Sequence, residues 1–222
     1  MIALTKPTLQ FLKDLKNNNN RDWFMDNKAV FEQAKSEFEQ FIDTLIARIA
    51  VFDSDISHQT AKNCVFRIYR DVRFSKDKSP YKTNFGAHIT AALKKSEIHS
   101  RSGYYIHIEP GQSMLAGGAY LPKGDWLKGI REEIAGDADE FKSIIHSKSF
   151  KNYFGEIEGE KLKTAPKDFP KDHPEIELLK YKSFLATHRC DDEMLLSEDF
   201  IEHCGKVFET LYPFGEFLNK AV

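Results

Sequence analysis

The chain has 222 residues, 41% of them hydrophobic and 30% charged, which is ordinary for a globular protein able to bury a sizeable core. A formal net charge of −2 and a pI near 6.5 argue against a general nucleic-acid coat. No apolar run approaches the length of a membrane span, and the first residues lack the charged-then-apolar pattern of a secretory signal. Three widely spaced cysteines (Cys64, Cys190 and Cys204) fit buried, reduced thiols better than a disulfide framework, so the expectation is a cytoplasmic protein without a membrane partner.

Leu9, Phe11, Leu12 and Leu15 recur at helical spacing and predict a first helix over Leu4 to Lys16, with Pro7 where a first turn tolerates it. The asparagines at 17 to 20 break it. Asp26 is the expected cap of a long helix to about Ala50, whose apolar stripe runs from Val30 and Phe31 through Phe38 and Phe41 to Ile49. Phe52 to Asn63 reads as loop. Four strands are expected over 62–69, 85–93, 103–109 and 113–121, joined by short connections, of which Lys94 to Ser102 is polar. Helices follow from Asp125 to Gly136, from Asp137 onward, and briefly after Pro174. Phe150 to Phe169 reads as irregular with a turn at Glu158-Gly159-Glu160, Ser183 to His188 as a strand, and Ser197 as the cap of a last helix. The pattern predicts a single α+β domain over residues 1–222, an antiparallel meander covered by N-terminal and C-terminal helices.

The stretch from Phe66 to Lys82 stands out by charge. Arg67, Arg70, Arg73, Lys76, Lys78 and Lys82 face only Asp71 and Asp77, a net of +4 inside an acidic chain. Lys78-Ser79-Pro80 prevents one regular element, so the segment past Tyr69 is expected to be an ordered loop. Arginine forks match phosphate or carboxylate, which makes this an anion site. The same residues also suit a structural network in which Asp71 and Asp77 orient the arginines. Tyr69, Phe74 and Tyr81 interleave with the cations as in a single-strand nucleic-acid groove, although the acidic remainder weighs against that partner.

On the predicted sheet, His88, Thr90, Tyr105, His107 and Glu109 share one face. If the basic loop folds over that face, His107 and Glu109 are the proton-transfer residues. His107-x-Glu109 is too weak a signal for a metal site, and none is expected. No Walker loop, dinucleotide fingerprint, nucleophile elbow or zincin motif occurs, so no cofactor is expected. Gly117-Gly118 reads as a bulge or a close backbone approach. Cys190, beside His188 and Arg189, reads as inert rather than nucleophilic.

The run Arg67-Ile-Tyr-Arg70-Asp71-Val-Arg73-Phe74-Ser-Lys-Asp77-Lys78-Ser-Pro-Tyr81 resembles the signature of a bacterial family of conserved hypothetical proteins, Domain of Unknown Function 2461. The resemblance extends to Gly103-Tyr-Tyr-Ile-His-Ile-Glu-Pro-Gly111, to Gly117-Gly118, and to the segment from Asp172-His-Pro174 through Lys182-Ser-Phe184. It implies no activity. It implies that Arg67, Arg70, Asp71, Arg73, Phe74, Asp77, Lys78 and Tyr81 are the positions to test. The expectation is an anionic small molecule held by Arg67, Arg70, Arg73 and Lys78, with Lys82 beside them, Asp71 orienting an arginine, and Tyr81 stacking or hydrogen-bonding. An acidic protein partner for the basic loop, or a single-stranded nucleic acid, is the alternative, and the residues admit both an enzyme and a binding module.

Overall fold

A computed structural model describes residues 4–92 and 97–222. Among them lie ten α-helices and four strands, β1 (Phe85–Ile89), β2 (Gly103–Ile108), β3 (Ser113–Ala119) and β4 (Phe184–Cys190). The strands form one antiparallel sheet in the order β1-β2-β3-β4, and the fold class is α+β. Part of the polar connection expected at 94–102, and Leu93, lie outside the described residues.

The chain packs as two compact units. The first comprises Met1–Ile89, Tyr105–Leu115 and Arg189–Gly205. It holds α1 (Lys6–Asn17), α2 (Arg21–Asp26) and α3 (Lys28–Ile49). Both long helices are amphipathic for the reason expected: Leu9, Phe11, Leu12 and Leu15 of α1, and Phe31, Phe38, Phe41 and Ile49 of α3, recur at helical spacing and are buried. They meet β1 through rings, with Phe38 stacked on Phe85 at 5.4 Å and Phe11 on Phe85 at 6.4 Å.

The second unit comprises Thr90–Tyr104, Ala116–His188 and Lys206–Val222. It is built on Phe141, Phe150, Phe184, Phe214 and Phe217, all buried. Here Gly118, at φ +114, lets β3 approach its neighbour so closely that a Cβ would lie 2.1 Å from the Phe184 carbonyl oxygen.

Several local expectations give way. The long helix is preceded by Asn27, not Asp26, and Val30 is exposed rather than part of its stripe. The expected strand over 62–69 is a helical turn, α4 (Ala61–Cys64), followed by isolated bridges from Val65 to Ala87 and from Tyr69 to Tyr81. A short 3-10 turn over Ser54–Ile56 interrupts the expected loop before it. Helix Lys148–Phe154 opens the stretch expected to be irregular, and Glu158 and Lys161 bridge to Leu185 and Tyr181 where a hairpin turn is expected. The three cysteines are buried and, among the described residues, form no disulfide. Burial, then the Asp191 charge, pushes the Cys190 thiol up to about 12, opposite to what a nucleophile needs.

Candidate functional site

The basic segment is a closed loop on a short two-stranded stem. The Arg70 backbone N–H donates to Pro80 O at 2.9 Å and the Lys82 N–H to Ile68 O at 2.8 Å. Inside the loop the arginines are not equivalent. Arg70 Nη1 donates to Asp77 and to Ser79 O (3.2 Å), and its Nη2 donates to Ser75 Oγ (3.4 Å), so this side chain ties the loop across its width. The Ser79 hydroxyl and N–H also donate to Asp77, and together with Arg70 they hold that carboxyl far below the usual range.

Arg73 folds back on Asp71 with two Nε–H and Nη2–H contacts of 2.9 and 2.6 Å, and this pair lowers the Asp71 pKa while remaining exposed. Lys78 Nζ donates to Val72 O at 3.0 Å. Phe74, at the tip, is 95% exposed. Arg67 is also exposed, and among the described residues it makes no ion pair.

Tyr81 is turned into the core. Its ring stacks on Phe24 at 4.0 Å and 14°, and burial, then the neighbouring Tyr69, raises its hydroxyl pKa. The Asn19 side chain brackets its backbone, accepting from the Tyr81 N–H at 3.1 Å and donating to the Tyr81 carbonyl at 3.0 Å.

The polar face of β2 carries a hydrogen-bonded row. Period-two alternation buries Tyr104, Ile106 and Ile108 and turns Tyr105, His107 and Glu109 the other way. The Tyr105 hydroxyl lies 2.9 Å from His107 Nδ1, and Asn84 Nδ2 lies 3.3 Å from the same nitrogen. An amide nitrogen can only donate, so Nδ1 accepts and the ring proton sits on Nε2. From there it is donated to Glu109 Oε2 at 3.2 Å. Glu109 also accepts from Thr83 Oγ1 at 3.0 Å and from Lys16 Nζ at 3.4 Å. Burial raises the Glu109 pKa, but the bonds from His107, Thr83 and Lys16 outweigh it and leave it lowered. Thr90, expected on this face, belongs to the second unit, where its buried hydroxyl donates to Ser102 O at 3.0 Å.

Residues of the loop and residues bonded to the row line a cleft of about 440 Å³ whose walls include Lys16, Arg70, Asp77, Lys82, Thr83 and Asn84. Asn84 is bonded to His107, and Thr83 and Lys16 to Glu109. Arg70 and Lys82 are therefore brought to the cleft with His107 and Glu109 behind its wall. Arg73, Asp71 and Lys78 stay with the loop tip, and Tyr81 contributes from the core side.

Lys82 is half-buried with Nζ 5.2 Å over the Phe66 ring, and among the described residues it pairs with no carboxylate. Burial, then the Arg67 charge, lowers its pKa. Lys16 and Asn84 carried no signal in the sequence, because each reaches the site from another element. Tyr105 had one, its shared parity with His107 and Glu109.

Neither a curated protein nor a solved structure matches the chain. The sequence model of a family described as "Conserved hypothetical protein (DUF2461)" matches residues 7–217, and the matched span contains the basic loop, the row on β2 and the residues of the cleft. The protein belongs to the DUF2461 family.

Proposed function

We propose that the cleft of the first unit binds a small phosphate- or carboxylate-bearing molecule, and that the His107–Glu109 pair serves proton transfer on it. The observation that carries this reading is Lys82. A half-buried ammonium without a counter-charge is costly, and its lowered pKa reflects that cost. An anion in the cleft supplies the missing charge, with Lys16 and Arg70 in reach of the same space. Arg70, Arg73 and Lys78 spend donors on the loop itself, which gives the arginine cluster a scaffolding share; Lys82 has no such commitment.

The test is a low-salt thermal-shift panel of phosphate, nucleotides, carboxylates and short oligonucleotides on the wild type and on Lys82→Met. A ligand at about a hundred times its Kd stabilises by roughly 2.7 kcal/mol. In a domain of this size that is a rise of roughly 5–10 °C. The expected result is a rise for one anion class that Lys82→Met abolishes. A flat panel, with Lys82→Met melting above the wild type, overturns the reading.

A second reading is an acidic protein partner for the loop. The supporting observation is Phe74, 95% exposed with the Arg73 guanidinium 5.9 Å from its ring. Under it, Phe74→Ser loses the partner and leaves the anion panel unchanged.

A further inference from the structure

Among the described residues three cations line the cleft, and they differ in what surrounds them. Lys16 Nζ donates to Glu109, and Arg70 donates to Asp77, the Ser79 carbonyl and the Ser75 hydroxyl. Each has a carboxylate for counter-charge. An ammonium carries three N–H groups and a guanidinium five, so each also keeps donors for a ligand. Lys82 lines the same space in a different setting. It is half-buried, its Nζ lies 5.2 Å over the Phe66 ring, and its charged neighbour is Arg67.

An apolar wall and a second cation are the two conditions that populate a lysine as the free amine. The lowered pKa of Lys82 reflects both, burial first and the Arg67 charge second. A free amine is a nucleophile for a carbonyl carbon.

We propose that Lys82 is the covalent residue of this site, an amine that forms an imine with a small oxo acid whose carboxylate Arg70 and Lys16 hold. This rests on the anion reading of the cleft and narrows the anion to a carboxylate with a carbonyl group beside it. Nζ adds to the carbonyl carbon, and one amine hydrogen moves to the former carbonyl oxygen, giving a carbinolamine. That oxygen then leaves as water with the second amine hydrogen, and the C=N bond forms. A proton taken from water turns the imine into an iminium, whose charge faces the carboxylate of the bound acid. A guanidinium in place of Lys82 would keep the charge and lose the chemistry.

The charged groups around the amine are Arg67 before the loop, Arg70 and Asp77 within it, and Lys16 from α1. Asp77 is taken up by Arg70 and Ser79, and Glu109, with His107 on it, by Lys16.

The test is reductive trapping. Wild-type protein is incubated with pyruvate and sodium cyanoborohydride, which delivers hydride to the iminium carbon and fixes the acid on the lysine as a secondary amine. Peptide mass spectrometry gives the rate at each lysine. Acetone, with a methyl group where pyruvate has its carboxylate, is the neutral probe. The exposed Lys28 and Lys128 are the internal comparison.

With pyruvate, Lys82 should label at least about ten-fold faster than either, because a held carboxylate makes the attack effectively unimolecular. With acetone this preference should shrink. Arg67→Gln removes the neighbouring cation and should move the pH midpoint of Lys82 labelling upward, since the ammonium then loses its proton less readily. Lys82→Arg should leave no label at the position, with folding checked by circular dichroism. If Lys82→Arg fails to fold, the comparison of pyruvate with acetone on the wild type decides alone. Lys82 labelling no faster than Lys28 with pyruvate, or an equal preference with acetone, overturns the proposal. A rise in the anion panel without a pyruvate preference removes the imine and keeps the anion reading. A flat panel without that preference removes both.

Discussion

Arg70 and Arg73 look alike in the sequence, three residues apart in one basic run, and the structure separates them sharply. Arg70→Ala removes donors to the Ser79 carbonyl and the Ser75 hydroxyl. At roughly 0.5–1.5 kcal/mol for each bond, the loss is about 1–3 kcal/mol. The contact with Asp77 adds nothing to this figure, since that carboxylate is solvent-exposed and screened. For a protein of this length the change lowers Tm by about 2–12 °C. Arg70→Lys should recover little, because one ammonium cannot reproduce a fork that serves three acceptors.

Arg73→Ala should leave the melt unchanged, its pair with Asp71 being at the surface. Urea unfolding at constant m-value reads the global cost. Hydrogen exchange at the Arg70 and Lys82 amides, which close the stem, reads the local one. Equal losses for Arg70→Ala and Arg73→Ala, or no loss for either, would refute the idea that Arg70 ties the loop.

Two glycines should respond in opposite directions to alanine. Gly118→Ala places a Cβ 2.1 Å from Phe184 O and 2.8 Å from the Phe214 ring at φ +114, and should cost roughly 2–5 kcal/mol of strain and overpacking together. Gly136→Ala, with nothing within 4 Å at the end of the helix Gly124–Gly136, should gain about 0.4–1 kcal/mol; chemical denaturation of both checks the pair. Glu109 has a lowered folded pKa, so its stabilisation is present above the unfolded value of about 4.3 and is lost as pH falls through the folded one. The deficit of Glu109→Gln should therefore shrink from about pH 7 to about pH 3, and a deficit constant across urea midpoints would contradict the assignment.

What was legible in the sequence was what periodicity controls. The alternation of Tyr104, Ile106 and Ile108 with Tyr105, His107 and Glu109 fixed the faces of β2, and helical spacing of phenylalanines placed α3. The segment after Asn63 misled because Val65, Phe66 and Ile68 are apolar and β-prone, yet their pairing amounts to isolated bridges and the residues before them close a helical turn. At the site, charge composition located the loop but did not rank its cations. Rank follows from which donors reach a carbonyl or carboxylate, a matter of tertiary closure: Arg70 reaches Ser79 O across nine residues, and Lys16 reaches Glu109 across ninety-three. Tyr81 stands among arginines in the sequence, and its ring stacks on Phe24, which is far away in sequence, while the residue still lines the cleft.

The grip of Asn19 on Tyr81 bears on solubility. In the loop stem the bonds from Arg70 to Pro80 and from Lys82 to Ile68 leave the Tyr81 N–H and carbonyl directed away from Tyr69, along an open edge. Such an edge invites another chain to add a strand. The Asn19 amide offers one acceptor and one donor at the spacing a neighbouring peptide would, and so occupies the position an incoming strand needs. Neither aspartate, which lacks the donor, nor alanine can do this, so a single side chain at the joint between two helices guards the basic loop against edge-to-edge association.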